Sequence, residues 1–183
     1  MRAIEEDTMR RLQPLDPQQA PDQKSREILG DIVARGGSVG DMVATMAHSP
    51  ALLQGYLEFS RAIKRVKIPR PLSEKISLAL QEWIGCSMCL SAHTRAARGA
   101  GLSEADIELA RQGTSTDARE AALIGVAVRV LAEPSSLTDE DVAELRAHGW
   151  SDRVIAELVG LVSLNLLTGA FNLLIGLEPE PAD

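Results

Sequence analysis

The chain has 183 residues, 45% of them hydrophobic but only 3% aromatic, with a net charge of -7 and a pI near 5.0. That length supports one domain with a real core, and a core so poor in rings must be built from Leu, Ile, Val and Ala, which suits helix packing better than a sandwich or barrel. The acidic balance, without a basic stripe interleaved with aromatics, argues against nucleic acid; two cysteines do not make a disulfide scaffold, and the charged N-terminus shows no signal peptide, so a cytoplasmic home is expected.

Residues 1–21 are polar and carry Pro14, Pro17 and Pro21, which predicts an arm that is loose or packs on a neighbour. Residues 22–178 then read as one all-helical domain. The first helix covers 22–35, with Ile28, Leu29, Ile32 and Val33 inward and Gly36-Gly37 closing it. A short helix follows over 39–47. Ser49-Pro50 is an N-cap followed by proline at the first helical position, opening a helix to residue 64. The cations from Arg61 to Arg70 sit at its end, solvated and complementing the helix dipole.

Pro69 and Pro71 separate that helix from the next, over 72–85, where Ser73 is the expected N-cap and Ile76, Leu80, Trp83 and Ile84 the apolar side. Further on, Ser103 with Asp106 has capping-box spacing and opens a helix to residue 111. Asp117 with Glu120 opens another to residue 132, Thr138 with Asp141 the next, and Ser151 caps the last.

From Leu158 to Leu177 twenty residues pass without a charge, enough by length to span a membrane. Ser163, Asn165, Thr168 and Asn172 interrupt the run and its flanks are acidic, so the expectation is a buried central helix or a subunit interface, and no membrane. No stretch alternates over strand length, and the fold class expected is all-α.

The chemistry concentrates around Cys86, Ser87, Met88, Cys89 and His93, which hold the only two cysteines and one of three histidines. Spacings of three and four bring Cys86, Cys89 and His93 onto one helix face. Gly85 marks the stop of one helix and the start of another, which places Cys86 at a helix N-terminus whose N–H groups favour a thiolate. Such a dithiol can do redox work, one thiolate attacking and the second thiol resolving the oxidised intermediate as a disulfide.

The same CxxC spacing also occurs in core cysteines, structural disulfides and zinc sites. Zinc lacks an obvious fourth ligand, since His48 and His148 have no paired Cys or His and read as a loop residue and a helix C-terminal cap. A disulfide within one helical turn would constrain the unfolded chain little. Redox activity is therefore the reading preferred.

Glu74, then eleven residues, then Cys86-x-x-Cys89-x-x-x-His93, with Ile84-Gly85 leading in and Ser91-Ala92-His93 leading out, resembles the signature of the alkylhydroperoxidase D-like (AhpD-like) family, within the carboxymuconolactone decarboxylase superfamily. The run from Gly99 to Ile107 resembles that family's break into its following helix. The specific match covers residues 72–107, and a looser helical one runs from 42 to 177.

The resemblance implies an AhpD-like helical bundle assembled as a homo-oligomer, trimer or hexamer. It implies a thiol-dependent peroxidase that reduces organic hydroperoxides against a thiol or a lipoyl-bearing protein. Cys89 would be the nucleophile, Cys86 the partner that closes the disulfide, and Glu74 with His93 a proton relay. A carboxylate that orients an imidazole, which then takes a thiol proton, gives the relay chemical sense. No flavin, nicotinamide or haem motif is visible, so no cofactor or metal is expected and the cysteines are the redox centre.

One position departs from the family, whose peroxidase members carry a histidine two residues after the first cysteine, where this chain has Met88. Two other readings stay open: a lactone-acid decarboxylase, whose branch does not depend on CxxC, and a non-catalytic oligomeric module whose disulfide senses redox state. Glu82 shares the cysteine face only if the helix runs unbroken through Gly85, and is expected to be solvated. Ala92, Ala96 and Ala97 would leave room for an alkyl substrate, and Asn172 would face the site or an interface.

Overall fold

The computed structural model describes residues 10–179, which are helical without a strand. Among them lie α1 (Gln23–Ala34), α2 (Asp41–Met46), α3 (Pro50–Ile63), α4 (Arg70–Ile84), α5 (Ser87–Gly99), α6 (Glu104–Arg111), α7 (Ala118–Ala132), a 3-10 turn at Pro134–Ser136, α8 (Asp139–Ala147) and α9 (Asp152–Ile175). The backbone divides into two compact units, residues 10–61 with 171–178, and residues 62–170.

The first unit is built on Leu29, Met46, Ala47 and Leu53, with Ala20 buried among them. The described part of the expected N-terminal arm is tied into this unit. Arg11 donates its N–H to the Ile175 carbonyl at 2.9 Å and its guanidinium to the Leu173 carbonyl at 2.6 Å, and Arg10 pairs with Asp41 at 2.7 Å. Residues 1–9 of that arm lie outside the described residues. His48 occupies a turn, its Nε2 3.0 Å from the Gln13 carbonyl.

The second unit is organised around α4. Leu72, Ile76 and Leu80 meet Leu123, Ile124 and Ala127 of α7 and Leu158, Leu161 and Val162 of α9. Leu78, on another side of α4, meets Ala97 of α5 and Ile107 and Ala110 of α6. Each Leu or Ile buried this completely contributes about 1.5–3 kcal/mol relative to exposure, so the helix that carries Glu74 and leads to Cys86 is firmly held on two sides.

Local capping sets most boundaries as the sequence predicts. Asp22 accepts from the N–H groups of Lys24 and Ser25, and both Ser103/Asp106 and Thr138/Asp141 form reciprocal capping boxes. Four expectations need correction. Val33, expected inward, is 50% exposed in the last turn of α1, a helix in which Leu29 alone of the apolar residues is fully buried. Ser73 is no N-cap: α4 begins at Arg70, with Pro69 as cap and Pro71 in the first turn, where a missing N–H costs nothing. Trp83 leaves the expected apolar side and is 58% exposed, because α4 is in its last turn there. Glu120 does not reach back to Asp117, which caps α7 alone, because its carboxylate is taken by Lys75 and Ser115.

By length and composition α9 could cross a membrane, with a mean hydropathy of 1.9 in its most apolar window. It is not buried all round as a central helix would be. Val154, Leu158, Leu161, Val162 and Asn165 are buried, while Val159 and Leu166 are about half exposed.

Candidate active site

The site begins where α4 ends. Gly85 has φ +79°, a left-handed conformation that side chains disfavour. Its N–H and that of Cys86 both return to the Gln81 carbonyl, at 2.9 and 3.2 Å. The chain thereby leaves α4 and re-enters a helix within two residues, with Cys86 in extended conformation as the N-cap of α5.

The Cys86 sulfur accepts the Cys89 N–H at 3.2 Å, the bond an N-cap oxygen would ordinarily make. Cys86 and Cys89 are joined as a disulfide with Cα atoms 5.3 Å apart, and both are buried. The helix break expected at Gly85 is present. Cys86 therefore meets Cys89 through the cap and not along a helical face, whereas Cys89 and His93 are one turn apart on α5 itself. Both sulfurs stand at the N-terminus of α5, where the helix dipole favours negative charge.

Glu74 lies one turn into α4 and is 8% exposed. One carboxylate oxygen accepts from Arg70 Nε at 3.2 Å, and the other is 2.8 Å from His93 Nδ1. When Nδ1–H donates to the carboxylate, Nε2 carries the lone pair and is the nitrogen that can take a proton. The geometry thus links Glu74 to His93, and His93 by one helical turn to Cys89. Arg70, expected among the solvated cations that end the preceding helix, is instead the first residue of α4, four residues before the Glu74 it pairs with.

Other expected positions resolve differently. Glu82 is exposed and pairs with Arg111 at 2.8 Å, as a helix broken at Gly85 requires. The three alanines do not share a face open to a substrate: Ala92 is exposed, Ala96 is half-buried, and Ala97 belongs to the core beside Leu78. Met88 is half-buried in the first turn of α5. His148 is the C-cap residue of α8. Asn172 is buried in the last turn of α9, in the first unit, where its carbonyl takes the Leu177 N–H at 2.9 Å. Among the described residues no three His, Cys, Asp or Glu gather as metal ligands.

The turn also rests on a polar cluster that no sequence signal announces. Gln81 Nε2 donates to Asn165 Oδ1 at 2.9 Å, and Asn165 Nδ2 donates to Ser77 Oγ at 3.2 Å, all of it buried. The partners lie more than eighty residues apart, beyond the reach of any local pattern.

Among solved structures, the chain is similar to an uncharacterized peroxidase-related protein from Silicibacter sp. TM1040, with TM-score 0.75 and 17% identity over 93% of each chain. A second, described as an alkylhydroperoxidase AhpD core and peroxidase-related protein from Ralstonia eutropha JMP134, gives 0.73 and 18% over 92% of this chain and 93% of that one. A third, the debrominase Bmp8, gives 0.72 and 21% over 92% and 91%. These likenesses define the class: an all-α protein of AhpD-like fold. Residues 50–133, which contain Glu74, Cys86, Cys89 and His93, match the carboxymuconolactone decarboxylase family model. No curated protein matches it in sequence.

Proposed function

We propose that the protein is a thiol-dependent oxidoreductase that reduces organic hydroperoxides through Cys86 and Cys89. The observation that supports this most is the Glu74–His93 hydrogen bond at 2.8 Å, which fixes an imidazole one turn from Cys89. A disulfide spanning three residues adds little to stability, so its chemistry is the better reason for it.

In the proposed cycle His93 takes the Cys89 proton and the thiolate attacks the terminal peroxide oxygen. The O–O bond breaks, Cys89 becomes a sulfenic acid, and the alkoxide leaves as an alcohol with the proton held by His93. The Cys86 thiol then displaces water from the Cys89 sulfur and closes the disulfide. A dithiol reductant, small or lipoyl-bearing, restores both thiols and is itself oxidised to a disulfide, which suits a reducing compartment such as the cytoplasm. Glu74 holds the ring in one tautomer throughout.

Homo-oligomerisation as a trimer or hexamer belongs to the same reading. Val159 and Leu166, about half exposed on α9, are apolar surface that a subunit contact would cover.

The test is steady-state reduction of cumene hydroperoxide and hydrogen peroxide by the purified protein with dihydrolipoamide, beside Cys86→Ser and Cys89→Ser. Turnover that disappears in both variants supports the proposal. Absence of turnover in a wild type whose thiols still oxidise would replace it with disulfide exchange or redox sensing. A bromopyrrole belongs in the substrate panel, because a debrominase of the same fold has a structure in complex with 2,3,4-tribromopyrrole.

A further inference from the structure

Gln81 joins the redox turn to α9. Its main-chain carbonyl takes the N–H groups of Gly85 and Cys86, the two bonds that end α4 and set Cys86 at the cap of α5. Its side chain, wholly buried, is held from α9, with Nε2 donating to the Asn165 carbonyl at 3.0 Å and to Asn165 Oδ1 at 2.9 Å. Asn165 is fixed in turn, its Nδ2 donating to Ser77 Oγ at 3.2 Å and to the Leu161 carbonyl at 3.0 Å.

One turn further along α9 a Cβ at Gly169 would stand 2.6 Å from Gln81 Oε1 and 3.0 Å from Ile84 Cγ2. Only a residue without a side chain lets α9 lie against the last turn of α4 in this way. Gln81 Oε1 is buried without a hydrogen-bond partner. Turning the amide over would aim it at two acceptors of Asn165, so the observed orientation is the one the pocket enforces.

We propose that Asn165 and Gly169 are positioning residues for Cys86: through Gln81 they fix where α4 ends, and so set the balance between dithiol and disulfide. Closing a disulfide requires the two Cα atoms within a narrow range, here 5.3 Å, and the Cys86 end of that span is delivered by the Gln81 turn. The proposal rests on the reading of Cys86 and Cys89 as a redox pair.

The experiment equilibrates each full-length protein with reduced and oxidised dithiothreitol, measures the fraction of Cys86–Cys89 disulfide, and follows thiol alkylation by iodoacetamide across pH. Asn165→Leu and Gly169→Ala should each shift the dithiol–disulfide equilibrium constant by about fivefold or more, and Asn165→Leu should add nothing in a Gln81→Met background, because groups acting through one partner are not additive. Ile124→Val, a core change in the same unit, should lower Tm and leave the constant alone.

A constant within about twofold of wild type in both α9 variants, or additive effects in the double mutant, overturns the proposal. Should Asn165→Leu fail to fold, Gly169→Ala in the wild-type and Gln81→Met backgrounds makes the same comparison. A wild type whose cysteines do not cycle in the redox buffer overturns the redox reading and the proposal with it, a result distinct from an unmoved constant.

Discussion

Glu74 and Lys75 are neighbours on α4, 8% and 7% exposed, and each brings a charge that the interior must satisfy. Successive helix residues point about 100° apart, so the two serve different surroundings. The Lys75 ammonium is closed off by Glu120 at 2.7 Å, Ser115 Oγ at 3.2 Å and Asp106 at 4.0 Å. Glu74 meets Arg70, whose side chain is 72% exposed, and gives its second oxygen to His93, whose ring is 29% exposed.

One cluster joins α4 to α6 and α7 through an ammonium, two carboxylates and a hydroxyl. The other ends in an imidazole that reaches solvent one turn from Cys89. Burial of a charge does not by itself mark a working residue; the proposed relay gives Glu74 a role through its imidazole partner that Lys75, paired only with carboxylates and a hydroxyl, does not have.

The comparison fails at its root if the dithiol is idle. Cys89→Ser should reduce hydroperoxide turnover more than about a thousandfold while leaving the helical circular-dichroism spectrum intact, since a hydroxyl cannot replace the thiolate. Retained turnover would remove Cys89 as nucleophile.

Next in size is Lys75→Met, which leaves Glu120 and Asp106 without their buried cation and should destabilise the fold by about 3–5 kcal/mol in urea unfolding. Turnover per folded molecule should be unchanged, and Lys75→Met with Glu120→Leu should regain most of the lost stability. Turnover lost from the folded fraction would mean that the two clusters are not separate in function.

Glu74→Gln and His93→Gln should show the opposite pattern: about a hundredfold slower turnover at neutral pH, the range of general-base assistance, with little change in the urea midpoint.

The smallest effect is expected at a third charged pair, away from both clusters. Asp141 is held below the usual carboxylate range, first by the hydrogen bond from Arg129 and then by the Thr138 N–H. A carboxylate lowered in the folded state adds stability above its unfolded value, and that stability fades as pH falls through the folded value. Arg129→Met should therefore lower Tm at pH 7, and the gap to wild type should narrow below about pH 4. A gap independent of pH would mean that Arg129 contributes packing alone.

Elements whose signals are local are legible in the sequence. Ser103 with Asp106, Thr138 with Asp141, and Gly85 each act within four residues of themselves, and the helices begin and end where they stand. What spacing misses is decided across the fold. Glu120 fits a local cap in sequence, yet Lys75, forty-five residues away, takes its carboxylate. Ser73 fits an N-cap, but two prolines accommodated in the preceding turn start α4 earlier.

The site divides in the same way. Helical spacing alone relates Cys89 to His93. Glu74 and His93 are nineteen residues and a helix break apart, so their meeting is legible through the family resemblance only. Arg70 is visible as a spacing of four from Glu74, whereas the clasp of Gln81 by Asn165 has no sequence signature.

The most direct test of the division between a working Glu74 and a structural Lys75 is the pH profile of hydroperoxide reduction by Glu74→Gln beside wild type. If Glu74 acts by holding His93 as a base, the deficit should shrink as pH rises past about 8.5, where an ordinary thiol ionises unaided. A deficit of the same size at every pH would contradict the relay and place Glu74 with Lys75 among the residues that only hold helices together.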